Sequence, residues 1–182
     1  MSNVRPMRKK IRQVLLPCSI LLLSHTGALA QDVGVLHLRP LHLELPATWT
    51  FDGSKRPIEG RGPEGEKVLI SIMRKRTGAA SEPMPTAKET AQGFAQGPMG
   101  ELALKGGKAV VRPVSEFPVQ EGKAGYSAGS ETSSMLGRKS YFVQYLLAAP
   151  GVIIYLTFEG KGEALPAMQR FDAFFNTQRW DE

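Results

Sequence analysis

Residues 140–180 of this 182-residue chain have the sequence SYFVQYLLAAPGVIIYLTFEGKGEALPAMQRFDAFFNTQRW. Apolar residues occupy both alternating faces of residues 140–148 and of residues 152–159, and the Pro150-Gly151 dipeptide between them is typical of a tight turn. The pattern predicts an antiparallel hairpin that is covered on both sides. After a Gly-Lys-Gly link, apolar residues at three- and four-residue spacing predict an amphipathic helix over residues 163–177. They are Ala164, Leu165, Met168, Phe171, Phe174 and Phe175.

Strands are predicted on the N-terminal side of this unit. Leucines alternate with polar residues on either side of Pro40 but change phase there, which predicts two short strand segments joined at a kink. Trp49 and Phe51 then supply large apolar anchors. Residues 52–66 are rich in Gly, Pro and charge and are predicted to be a loop, whereas residues 67–74 form a strand with apolar residues on both faces.

The middle of the chain is predicted to supply the second helix and an edge strand. Residues 86–96 have a modest helical pattern, and Gly97-Pro98 is expected to stop or kink this helix. Residues 109–119 are β-like but contain two prolines, which belong on an edge strand. Residues 122–132 predict a weaker strand. The whole pattern favours an α+β fold: one α/β/α sandwich with a mainly antiparallel sheet, covering residues 31–182 as a single domain.

The order of these elements resembles the Mog1p/PsbP-like (DcrB-like) α/β/α sandwich family of exported bacterial proteins. The resemblance is carried by the LELPATW segment (residues 43–49), the strand at residues 67–73, the helix after Pro85, and the hairpin and helix of residues 141–175. It implies a non-enzymatic binding or assembly module of bacterial envelopes or photosynthetic membranes. It carries over no functional residues, and fold alone does not identify a partner.

The first 30 residues have the pattern of a cleaved secretory signal. A basic segment is followed by an apolar run of about ten residues and by Ala28-Leu29-Ala30, which has the small residues that signal peptidase requires. The run is too short for a membrane span, which needs about 20 helical residues. We therefore expect a periplasmic protein that starts at Gln31 and has no transmembrane segment after cleavage; an uncleaved anchor is the alternative.

Removal of this segment changes the charge and the cysteine count. The full chain has a net charge of +6, but five of its 23 basic residues and none of its 17 acidic residues lie in residues 1–30, which leaves 18 against 17. A nearly neutral domain gives no electrostatic reason to expect nucleic-acid binding. The single cysteine, Cys18, lies within the apolar run, in a context that does not fit a lipoprotein signal. The mature domain would then have no disulfide, cysteine nucleophile or thiolate metal site.

Candidates for metal binding and catalysis are weak. His37 and His42 remain after cleavage, with Glu44 as the nearest possible third ligand, but exposed strand histidines are the preferred interpretation. No Gly-x-Ser-x-Gly elbow is identified: Gly129-Ser130 lies in a small polar stretch with no second glycine in register. The carboxylate pairs Glu64/Glu66 and Asp181/Glu182 are expected to be solvated.

Two further motifs are also assigned structural roles. Residues 59–65 (EGRGPEG) lack the Lys-Ser/Thr of a phosphate-binding loop and are expected to be a hairpin loop. The basic cluster Arg74-Lys75-Arg76 is smaller than the four to eight residues usual for lipid binding and is expected to be a solvated strand end. We predict no catalytic, cofactor or metal site.

The functional hypothesis is an exported periplasmic binding or accessory protein that acts by contact with an unknown protein partner of the envelope, with no enzymatic activity. Residues 52–66 and 122–138 are the expected contact loops. The alternatives are an immunity protein that neutralises a secreted effector, a small-ligand carrier with a pocket between sheet and helix, and a hydrolase with a dispersed site.

Overall fold

The computed structural model describes residues 34–38, 41–45, 48–74, 84–106, 109–176 and 178–180. All of them belong to one compact unit, Gln31–Glu182. The predicted signal, residues 1–30, lies outside the described residues, so its cleavage and the domain boundary at Ala30 stay predictions.

The described elements follow the predicted order. In chain order they are β1 (Gly34–His37), β2 (Leu41–Leu45), β3 (Thr50–Asp52), β4 (Ile58–Arg61), β5 (Lys67–Arg74), α1 (Ala87–Phe94), a π-helical turn (Ala95–Met99), α2 (Gly100–Gly106), β6 (Ala109–Glu116), β7 (Ala124–Ser133), β8 (Lys139–Ala149), β9 (Val152–Lys161), α3 (Ala164–Phe175) and β10 (Arg179–Trp180).

Among these, seven strands form one antiparallel sheet in the order β3-β4-β5-β9-β8-β7-β6. The predicted hairpin is β8–β9, which pairs over its full length from Ser140–Lys161 to Ala149–Val152 and lies at the centre of the sheet. Gly151 has a φ of 70° at the turn, a conformation that glycine adopts without steric cost.

One face of the sheet packs against α3. The inward residues of β8 and β9 and the apolar stripe of α3 form a single buried cluster, centred on Tyr145, Phe158 and Phe171. Phe158 and Phe171 stack with ring centroids 4.1 Å apart. Leu165 departs from the predicted stripe: it is 48% exposed, and Ala167 is buried on that helix instead.

The opposite face packs against α1, the π-helical turn and α2. Leu146, Ala148 and Tyr155 meet small helix residues there, and Phe94 packs edge-on to Tyr155 at 5.0 Å. Helices on both faces of a mainly antiparallel sheet confirm the predicted α/β/α sandwich.

The helical backbone continues past Pro98, so of the two predicted outcomes, a stop or a kink, the structure excludes the stop. The backbone continues from α1 through a π-helical turn that contains Pro98 and on into α2. Proline removes a helical hydrogen bond, and a local π-helical turn accommodates the change within a continuous helix.

The N-terminal strands also differ from the prediction. β1 and β2 are an antiparallel pair, so the chain folds back between them instead of continuing through a kink, and β10 adds to the other edge of β2.

Two segments predicted as contact loops contain strands. Residues 52–66 include β4, which pairs with β3 and β5; its Gly60 lies against the Phe51 ring, where a side chain would collide. Residues 122–138 include all of β7, in agreement with the strand predicted over residues 122–132, and its residues from Gly125 to Ser130 are buried. Glycine and small residues led to the loop prediction, but here they allow close packing.

The edge strand was predicted correctly. β6 lies at the border of the sheet, and its pairing with β7 shifts register on both sides of Arg112, next to Pro113. Within the described ranges, no helix has the length and apolar content that a membrane crossing needs.

Candidate functional site

The predicted metal candidates lie where the structure gives only the backbone. The β1–β2 register pairs His37 with His42. Their side chains and that of Glu44 lie outside the described part, as do Asp181 and Glu182. Across the described ranges, no group of three or more His, Cys, Asp or Glu side chains is placed to hold a metal ion.

Contrary to the prediction, the chain does contain a Gly-x-Ser-x-Gly pattern, Gly125-Tyr126-Ser127-Ala128-Gly129. A nucleophile elbow requires a sharp turn between a strand and a helix with its serine exposed. Here the five residues lie within β7, and Ser127 is 1% exposed. Its hydroxyl lies 3.5 Å from Arg112 Nη1, and a guanidinium does not accept a proton. The geometry therefore does not form a nucleophile elbow.

Ser127 belongs to a polar cluster below α3. Arg112 Nη1 donates to Asp172 Oδ2 at 2.8 Å, and the Tyr145 hydroxyl donates to Asp172 Oδ1 at 2.6 Å and to the Met168 carbonyl at 3.1 Å. Burial, the hydrogen bond to Asp172 and its charge raise the pKa of Tyr145. These hydrogen bonds join β6 and β8 to α3, so we assign the cluster to the stability of the fold.

Glu66 does not have the solvated environment that was expected. It is 6% exposed, and its Oε2 accepts a hydrogen bond of 2.9 Å from the Glu64 backbone N–H. Of the hairpin loop predicted over residues 59–65, residues 62–65 form the β4–β5 turn, whereas residues 59–61 belong to β4. Of the basic cluster, Arg74 ends β5, while Lys75 and Arg76 lie outside the described residues.

The turn between β7 and β8 carries two adjacent exposed apolar side chains. Met135 is 103% exposed relative to a reference chain, and Leu136 is 81% exposed. The turn is ordered by hydrogen bonds: the Ser134 N–H donates to the Arg138 carbonyl at 2.8 Å, and the Gly137 N–H donates to the Ser134 carbonyl at 3.0 Å. We call residues 134–138 the apolar tip; it is the part of the predicted contact segment 122–138 that projects from the sheet.

The charges beside the apolar tip are mixed. Lys139 Nζ lies 3.1 Å from Glu131 Oε1 and 3.0 Å from Glu163 Oε1. These ion pairs raise the pKa of Lys139 and neutralise it, so Arg138 is the exposed basic residue within the tip itself. The tip therefore presents apolar surface, and the charges of the neighbouring side chains largely cancel.

Comparison with known proteins gives one structural likeness. No family model matches the chain, and no curated protein matches it. Among solved structures it is similar to cyanobacterial PsbP (CyanoP) from Synechocystis sp. PCC 6803, at 9% identity and a TM-score of 0.44, over 78% of this chain and 86% of that one. The likeness agrees with the PsbP-like resemblance predicted from the sequence; at this level of similarity it carries no argument about function.

Proposed function

We propose that this chain is an exported, non-catalytic binding protein that acts by protein–protein contact through the apolar tip. The observation that carries the proposal is the adjacency of Met135 and Leu136, both fully or largely exposed at an ordered turn. The signal-like pattern of residues 1–30 supports export to the periplasm.

The energetic argument concerns burial of this surface. Covering a Met or Leu side chain yields about 1.5–3 kcal/mol, so the two together offer about 3–6 kcal/mol to a partner with a matching apolar pocket. Contributions of this size are typical of hot spots at interfaces. Because the backbone of the turn is already hydrogen-bonded in the free chain, binding costs little backbone entropy, and immobilising the two side chains costs about 0.5–1.5 kcal/mol each.

A protein partner fits the tip better than a lipid surface does. Lipid-binding clusters usually contain four to eight basic residues, whereas the tip has Arg138 and a Lys139 that is paired with two carboxylates. An envelope assembly partner and a secreted effector both meet this description, and the identity of the bound protein distinguishes them.

The test is capture of the partner by matched variants. Purified wild-type protein is immobilised and exposed to cross-linked envelope extract, in parallel with the double variant Met135→Ser/Leu136→Ser and with Leu102→Ser, which alters an exposed leucine on α2. We expect one protein near stoichiometry with the wild type and with Leu102→Ser, and its loss with the double variant. The free energy of unfolding of all three should agree within about 0.5 kcal/mol, as for typical surface substitutions.

Retention of the same partner by the double variant would overturn the proposed contact surface. Binding of the wild type to lipid vesicles, abolished by the double variant, would instead assign the tip to a membrane. Export is checked separately: the intact mass of the protein from the periplasmic fraction should correspond to a chain that starts at Gln31.

A further inference from the structure

Two neighbouring cavities lie where the β4–β5 turn approaches α3. The first, of about 210 Å³, has a lining that includes Trp49, Glu64, Glu66, Arg170 and Phe171. We call it the aromatic cavity. The second is an open groove whose lining includes Tyr141, Lys161, Glu163 and Gln169. Glu64 and Arg170 line both, so this pair lies at the boundary between them.

Aromatic rings form the apolar walls of the aromatic cavity. Trp49 and Phe171 have centroids 6.5 Å apart and ring planes at 71°, so two walls meet at a steep angle. Trp49 also packs edge-on to Phe158 at 5.9 Å, and this contact fixes its ring against the sheet. Ring faces carry a negative electrostatic potential that attracts cations.

A buried carboxylate contributes negative charge to the same cavity. Glu66 is 6% exposed. A hydrogen bond from the Glu64 N–H, a neutral donor, reaches its Oε2 at 2.9 Å. The backbone leaves room for this carboxylate through Gly62, where a side chain would collide with Glu66 Oε2 and with the Trp49 ring. Burial of a carboxylate is costly unless a charge or strong hydrogen bonds compensate for it.

An ion pair lies at the rim. Arg170 Nη1 is 3.5 Å from Glu64 Oε2, and the two side chains are 54% and 71% exposed. Exposed pairs of this kind are worth about 0–1 kcal/mol and open readily. The charged residues of the lining are Glu64, Glu66 and Arg170. The charges of Glu64 and Arg170 cancel, so the carboxylate of Glu66 leaves the lining with a net charge of −1.

The groove adds the buried hydroxyl of Tyr141. Tyr141 is 3% exposed, and its hydroxyl makes no hydrogen bond of good geometry in the described part of the chain, with Arg170 as the nearby donor. Burial raises the pKa of Tyr141 to about 12, and the negative charge of Glu66 adds to this while Arg170 opposes it. The hydroxyl is therefore protonated at neutral pH and able to donate to a ligand that extends from the cavity into the groove.

We propose that the aromatic cavity binds a small organic cation, a primary or quaternary alkylammonium group, with the cation between the Trp49 and Phe171 rings and the Glu66 carboxylate. Aromatic walls with an adjacent carboxylate favour this charge and shape. An anion would have to lie beside a buried carboxylate, and an uncharged ligand would leave that carboxylate uncompensated. The volume is below the roughly 300–1,000 Å³ of pockets for drug-sized ligands, so the ligand is small. This inference does not depend on the partner contact at the apolar tip.

The test compares choline with its neutral isostere, in which carbon replaces the nitrogen, by calorimetric titration of the wild-type protein. We expect choline to bind at least about tenfold more tightly, since cation–π attraction in a desolvated site is worth up to about 2 kcal/mol. The sequence contains two tryptophans, so Trp180→Phe leaves Trp49 as the reporter, and its fluorescence should change with choline at the same affinity.

Three variants then assign the residues. Glu66→Gln keeps the acceptor for the Glu64 N–H, removes the charge and should weaken choline binding at least about tenfold. Arg170→Met removes the competing cation at the rim and should tighten the binding of choline. Glu101→Gln, which removes an exposed carboxylate from α2 on the opposite face of the sheet, is the control and should leave the affinity for choline unchanged.

The proposal is overturned if the isostere binds as tightly as choline, or if choline, tetramethylammonium and butylamine all fail to bind the wild type saturably. It is also overturned if folded Glu66→Gln binds choline with wild-type affinity. The comparison of choline with its isostere needs no variant, so it decides the question even if Glu66→Gln does not fold.

Discussion

The Tyr145 hydroxyl donates a hydrogen bond of 2.6 Å to Asp172 Oδ1, joining the central strand β8 to α3. The second oxygen of the same carboxylate accepts from Arg112 Nη1 at 2.8 Å, so the edge strand β6 is joined to the same helix. Tyr145 is fully buried, and its ring lies 4.4 Å from that of Phe175. One carboxylate therefore connects three elements on the α3 side of the sheet.

The first prediction concerns this carboxylate. Asp172→Ala should lower the free energy of unfolding by about 2–4 kcal/mol, because it removes two charge-assisted hydrogen bonds and leaves Tyr145 with only the Met168 carbonyl. Asp172→Asn keeps an acceptor for Tyr145 and should cost about half as much. Urea denaturation measures both values. Equal losses in the two variants would show that the Tyr145 bond contributes little beside the ion pair.

The second prediction concerns alkaline pH. All four tyrosines of the sequence have raised pKa values, chiefly because of burial. Burial raises the pKa of Tyr141 and of Tyr155 to about 12, from the ordinary value of 10.0. Above pH 10 the unfolded chain therefore binds fewer protons than the folded one. The free energy of unfolding is unaffected below that pH and falls by about 1.4 kcal/mol per pH unit for each such tyrosine between pH 10 and 12.

The corresponding measurement follows phenolate absorbance and far-ultraviolet circular dichroism in one pH titration. Tyrosine ionisation should coincide with loss of secondary structure above pH 10. Tyrosines that ionise near pH 10 while the circular dichroism stays native would contradict the burial seen here.

Local periodicity was sufficient to predict the centre of the fold. In β8 and β9 both faces are mainly apolar, with Gln144 and Thr157 as buried polar exceptions, and α3 repeats its apolar residues at helical spacing, so the sandwich follows from patterns within residues 140–175. β4 was missed because Gly60 carries no β signal. The place of β4 in the sheet depends on the Phe51 ring, which occupies the space where a side chain at Gly60 would lie.

The candidate sites were less predictable because they depend on tertiary contacts. Glu66 was expected in solvent, and its burial follows from the approach of Trp49 and α3, which are distant in sequence. The apolar tip had a local signal, the adjacent Met135 and Leu136 between polar residues, but exposure is decided by the turn. The Gly-x-Ser-x-Gly pattern in β7 shows that correct spacing alone is not sufficient. The pattern lies within a strand, whereas a nucleophile elbow needs a turn between a strand and a helix.

The third prediction concerns the start of α1. The Glu89 N–H donates to Thr86 Oγ1 at 3.2 Å, and Glu89 Oε2 accepts from the Thr86 N–H at 2.8 Å, which together form a capping box. Thr86→Ala should lower the free energy of unfolding by about 1 kcal/mol, and Thr86→Ser should change it little. Thermal or urea unfolding measures the difference. A loss equal in both variants would assign the effect to the methyl group instead of the cap.

The fourth prediction concerns the cross-strand pair Tyr141 and Gly160. The two are register partners in β8 and β9, and a side chain at Gly160 would collide with the Tyr141 ring. Tyr141 is buried and its neighbour Phe171 lies at 6.4 Å, so the ring has little room to move. Gly160→Ala should therefore lower the free energy of unfolding by about 1–3 kcal/mol, the range for an overpacked interior.

Gly53→Ala, where nothing lies within 4 Å, is the matched control and should stay within about 0.5 kcal/mol of the wild type. Gly160→Ala in a Tyr141→Leu background should recover part of the loss, and the absence of any recovery in this double-mutant cycle would show that the ring is not the cause.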